Sequence, residues 1–80
     1  MKTGEDVFIG NNVNIIRKEL VEIGDHVAID YGFHCTTSLN IGNYVHIGPH
    51  VTCIGGRGGS LTLKGFNNIM AAGWIVTGKP

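Results

Sequence analysis

Four histidines, His26, His34, His46 and His50, carry the side chains of this chain best suited to moving a proton near neutral pH. Such a group can serve as general base toward an attacking hydroxyl or amine. No carboxylate stands beside any of them at a linear spacing that would orient the ring, so a surface or interface position is the first expectation for each. His34, His46 and His50 are carried forward as candidate catalytic residues. His46 and His50 are four apart, a spacing that would share one face of a helix, and no metal site is expected from it.

Cys35 and Cys53 are the other nucleophiles in view. They form no CxxC pair, and buried thiols are common in reducing compartments. Core positions are expected for both. The segment GGRGGS, Gly55 to Ser60, has the composition of a phosphate-cradling loop but lacks the Lys-Ser/Thr of a P-loop. Gly55, Gly56, Arg57 and Gly58 are its candidate cofactor-binding residues, against the plainer reading of a corner excursion. Tyr31, Tyr44 and Trp74 could stack on a ligand ring or pack between subunits, and the second is preferred.

Eighty residues support one domain, 1–80, and a chain of this size buries only about 60–65 % of its unfolded surface, which favours oligomerisation. Six basic and six acidic residues cancel and are scattered, so neither nucleic acid nor an anionic membrane is an expected partner. The apolar runs fall far short of the roughly 20 residues that span a bilayer, and MKTGEDVFIG has no signal-peptide core. A cytoplasmic protein is expected.

The elements that must position these side chains come from an internal period. Ile23, Ile29, Cys35, Ile41, Ile47 and Cys53 recur at a spacing of six, with Val27, Phe33, Leu39, Val45 and Val51 four residues after their leads. Six is neither the 3.6 of a helix nor the 2 of a simple strand. It describes a short strand plus a corner. Thr3, Ile9 and Ile15 lead hexads upstream, and Leu63, Ile69 and Ile75 downstream, after insertions of two and four residues. Both insertions follow a third hexad, so the chain reads as four three-sided coils: 3–22, 23–40, 41–62 and 63–80. Three inward columns follow: Thr3, Ile23, Ile41, Leu63; Ile9, Ile29, Ile47, Ile69; and Ile15, Cys35, Cys53, Ile75. GNN, GDH, GNY and GPH supply the tight corners.

The pattern of Ile-Gly leads at Ile9-Gly10, Ile23-Gly24, Ile41-Gly42 and Ile47-Gly48 resembles that of the hexapeptide-repeat proteins, over roughly Thr3 to Val76. The resemblance implies an all-β, left-handed parallel β-helix. It also implies an acyl-CoA-dependent acyltransferase working as a homotrimer. NIGNYVHIGPHVTCIGGRGGSLTL followed by NNIMAAG looks most like the bacterial sugar O- and N-acetyltransferases, so acetyl-CoA is the implied donor and a small sugar or amino sugar the implied acceptor.

Galactoside and maltose acetyltransferases of this kind carry their catalytic His in a Gly-His-Pro segment, where this chain reads Thr77-Gly78-Lys79-Pro80. A lysine ammonium is a poor base near pH 7. Some hexapeptide proteins are zinc carbonic anhydrases, but their ligand spacing is not seen here. The alternative to an acetyltransferase is therefore a shortened, non-catalytic β-helical module that serves assembly.

Overall fold

The computed structural model describes residues 1–55, 59–65, 68–69 and 73–77, the last two segments as backbone except at Ile75. Among the described residues the period of six becomes twelve strands: β1 (Lys2–Thr3), β2 (Phe8–Ile9), β3 (Asn14–Ile15), β4 (Val21–Ile23), β5 (Ala28–Ile29), β6 (His34–Cys35), β7 (Ser38–Ile41), β8 (His46–Ile47), β9 (Val51–Gly55), β10 (Ser60–Leu63), β11 (Asn68–Ile69) and β12 (Gly73–Thr77). They form three parallel four-stranded sheets, β1-β4-β7-β10, β2-β5-β8-β11 and β3-β6-β9-β12. The chain visits the sheets in turn, an arrangement compatible with a β-solenoid of four coils. Among the described residues the single helical element is a 3-10 turn at Lys18–Leu20, inside the first insertion.

Register follows the leads. Thr3 pairs with Ile23, Ile23 with Ile41 and Ile41 with Leu63. Ile9, Ile29, Ile47 and Ile69 align in the second sheet, and Ile15, Cys35, Cys53 and Ile75 in the third. Ile29, Ile47, Cys35 and Cys53 are wholly buried, and Phe33, Leu39, Val27, Val45 and Val51 close the corners between them. Each such Val, Leu, Ile or Phe side chain withdrawn from water contributes about 1.5–3 kcal/mol. The first coil departs from the expected interior, because Thr3 is exposed and Ile9 is 37 % exposed. A coil is stacked on one side of them only.

The corners repeat one backbone device. Asp6, Asn12, His26, Tyr44 and His50 all have φ between 55° and 58°, and each is the third residue after its lead. Gly32 takes the same place at φ 79°. The left-handed conformation thus falls on the third residue, and the glycines that follow the leads answer a different need. A Cβ on Gly24 would lie 2.9 Å from the Gly42 carbonyl carbon, so the glycine column lets successive coils touch backbone to backbone. Left-handed φ costs an L-residue roughly 1–2 kcal/mol. Coil-to-coil hydrogen bonds offset it: His26, Tyr44 and His50 donate their N–H to the carbonyls of Glu5, Asp25 and Tyr31 at 2.8, 2.9 and 3.0 Å. Beside them Asn43 Oδ1 accepts from the Asp25 N–H at 2.7 Å, and Asp25 Oδ1 from the Glu5 N–H at 2.8 Å.

Candidate functional site

Residues that share a corner position in successive coils stack into a column, and one such column is chemically loaded. Asp6, His26 and Tyr44 are each third after their lead in coils one, two and three. His26 Nδ1 lies 2.9 Å from Asp6 Oδ2. The His26 ring stacks on Tyr44 with centroids 4.8 Å apart and planes 22° from parallel. An ionised carboxylate can only accept, so Nδ1 carries a proton, and in the neutral imidazole Nε2 keeps its lone pair. The imidazole is thereby held in one tautomer and one plane.

Linear spacing alone sets no carboxylate to orient a histidine ring, and the fold brings one from the neighbouring coil in two places. The second pair is His46 Nε2 with Asp30 Oδ2 at 3.5 Å. Both pairs join residues about one coil apart, 20 and 16 positions, which a search of near neighbours passes over. His26 and His46 line one groove of about 360 Å³ with Asp6, Phe8, Ala28 and Tyr44. Its floor is the outer face of the second sheet, where Phe8, Ala28 and His46 are in register.

The other sequence candidates lie elsewhere. His34 opens β6 on the third sheet, between Asn14 and Thr52 in register. His50 is at the next corner, edge-on to Tyr31 at 4.9 Å and 89°. Of the three histidines singled out, the structure brings only His46 to the groove, and it adds His26. The signal for His26 was present in the frame, since Asp6 and His26 occupy equivalent positions of consecutive coils.

At the corner between the third and first sheets, Thr36-Thr37-Ser38 grips the glycine-rich stretch at both ends. The Gly55 N–H donates to Thr36 Oγ1 at 3.1 Å, and the Ser38 hydroxyl donates to the Gly59 carbonyl at 3.3 Å. Gly56, Arg57 and Gly58 lie outside the described residues, as do Gly78, Lys79 and Pro80 and the side chain of Trp74.

Cys35 and Cys53 are in register on neighbouring strands β6 and β9 of the third sheet, with no exposure. The Cys35 thiol donates to the Thr37 carbonyl at 3.4 Å. Burial, and then the neighbouring Cys35, push the Cys53 thiol up to about 12. A nucleophile needs thiolate and access, and the arrangement supplies neither near neutral pH. Among the described residues no three His, Cys, Asp or Glu side chains are grouped to hold a metal ion, and no helix is long and apolar enough to cross a membrane.

Set against known protein families, curated proteins and solved structures, the chain matches none.

Proposed function

We propose that this protein is a left-handed parallel β-helix of the hexapeptide-repeat kind and an acyltransferase, moving an acetyl group from acetyl-CoA to a hydroxyl or amine of a small sugar. The observation that carries the reading is the 2.9 Å contact of His26 Nδ1 with Asp6, which leaves Nε2 basic beside a groove of about 360 Å³. That volume lies at the small end of ligand sites, about 300–1,000 Å³. The six-residue repeat and its one-strand-per-side folding support the β-helical assignment.

In this reading Nε2 takes the proton of the acceptor hydroxyl or amine as its oxygen or nitrogen attacks. The Asp6 carboxylate stabilises the imidazolium that forms, and the Tyr44 ring stacked on it adds a cation–π contribution. The imidazolium then returns the proton to the departing thiolate. Acetyl-CoA would supply the activated thioester carbonyl. Of the candidate residues for holding it, Gly55 is fixed by Thr36.

A second reading, a non-catalytic assembly module, draws support from apolar side chains left on the surface. Ile16 and Leu20 are 57 % and 46 % exposed. A homotrimer would cover part of this surface and is proposed under both readings. Light scattering combined with a calorimetric titration of acetyl-CoA separates them, followed by release of thiol in the presence of sugars and amino sugars. Acetyl-CoA binding with thiol release that His26→Ala abolishes supports the enzyme. An oligomer that takes up no acetyl-CoA sinks it in favour of the module.

A further inference from the structure

On the outer face of the second sheet the column Phe8, Ala28, His46 places a single methyl group between two rings. Phe8 and His46 are two rungs apart, about 9.6 Å at a strand spacing of about 4.8 Å. One ring inserted between them at ordinary contact, about 3.5–4.0 Å from each wall, needs about 7–8 Å. By backbone spacing, Ala28 therefore leaves room for a notch one ring thick. The notch lies on the same rung as His26, two residues further along the chain, so a ring seated in it would present its edge toward the His26–Asp6 pair.

We infer that this notch is a binding slot for the pyranose ring of a sugar, with Phe8 and His46 as its walls and Ala28 as its floor. The walls suit a ring whose faces carry C–H groups, since the aromatic face is the negative part of the ring quadrupole. The surroundings suit a rim of hydroxyls: Asp6 offers an acceptor, and His26 can take a hydroxyl proton. Asp30 Oδ2 lies 3.5 Å from Nε2 of the His46 wall. Phe8 is 59 % exposed, a large apolar cost in water that a stacked ring would relieve. This deepens the acyl-transfer reading by naming the residues that hold the acceptor, and rests on it for the choice of a sugar.

The test is titration of the full chain with methyl glycosides of glucose, galactose and glucosamine, followed by the backbone amide NMR signals. Shifts should cluster at Phe8, Ala28 and His46. Ala28→Leu, which fills the notch from the outer face, should weaken binding about tenfold or more, and Phe8→Ala should weaken it as well. Asn14→Ala, which changes an exposed side chain on the third sheet, should leave it unaltered. Thermal melts of each variant show that the fold is kept.

Glycosides that bind wild type and Ala28→Leu alike overturn the slot, as does binding mapped to another face or the absence of binding by all three. Adenosine held at these residues in preference to every glycoside overturns the ligand class. The two readings fail separately: transfer with an unchanged KM in Ala28→Leu removes the slot and keeps the enzyme. Glycoside binding lost in Ala28→Leu, with no transfer in wild type, removes the enzyme and keeps the slot.

Discussion

Asp6 and His26 are twenty residues apart in the chain and 2.9 Å apart in space, because they hold the same corner position in consecutive coils. The carboxylate is 79 % and the imidazole 44 % exposed. Ion pairs so open to water contribute little to stability, so their removal tests chemistry rather than folding. His26→Ala should lower kcat by about 10²–10⁴-fold, the usual contribution of a general base. Asp6→Asn should lower it by less, since the ring keeps its stack on Tyr44. Both variants should melt close to the wild-type temperature, and steady-state rates alongside thermal melts check this.

Ile47 lies in register with Ile29 on one side and Ile69 on the other and has no exposed surface. An Asp there would carry an unpaired charge into the interior, costing several kcal/mol or shifting to its neutral form at comparable expense. The margin of a domain this small is of the same order. Ile47→Asp should therefore yield no cooperative thermal transition, while Ile47→Val should melt with a loss of about 0.5–1.5 kcal/mol. A folded Ile47→Asp in circular dichroism would show that this column does not form the core.

How much of this was legible from sequence differs by kind of information. The lead residues announce the three columns because identical sides stack in register, so a period of six in one dimension is a column in three. The same frame explains the Cys35–Cys53 contact. Corner geometry was less legible. Left-handed φ is set by the turn of the coil and held by coil-to-coil hydrogen bonds, so Tyr44 adopts it although its type is not among those enriched there, as Asp6, Asn12, His26 and His50 are. The His26–Asp6 pair shows only once the coil frame is laid over the sequence, where both residues are third after their leads. Its partners meet one coil apart, and a search among sequence neighbours finds contacts of the same coil only. Ala28 shows a third kind of limit, since a small residue becomes a notch only once Phe8 and His46 are known to flank it.

Cys53 gives the fold a dependence on alkaline pH. Its thiol rises from an ordinary 9.0 to about 12 in the folded chain, chiefly through burial and then through Cys35. The folded state therefore holds a proton that the unfolded state gives up first. The stabilisation is complete below about pH 9 and is lost progressively as pH rises from about 9 toward 12. Denaturant midpoints measured across that range should fall, and a Cys53→Ala variant, weaker at every pH through its cavity, should fall less steeply. Thiol reagents should leave native Cys53 unmodified at pH 8 while labelling it in denaturant.

Thr37 carries the one buried side-chain oxygen without a hydrogen-bond partner among the described residues, at 3 % exposure. Its carbonyl accepts the Cys35 thiol, so the backbone at this corner is engaged while the hydroxyl is not. A buried polar group left unpaired costs about 1–3 kcal/mol. Valine has nearly the same shape, and replacing an orphan hydroxyl with a methyl removes the desolvation cost without opening a cavity. Thr37→Val should therefore raise stability by about 1 kcal/mol. In a domain of this size that corresponds to about 4–8 °C in Tm. Thr36→Val, at the adjoining residue of the same corner, should do the opposite, because its hydroxyl accepts the Gly55 N–H at 3.1 Å. Melts of the two variants moving in opposite directions would bear this out, and a Thr37→Val that melts lower than wild type would mean that the hydroxyl has a partner it needs.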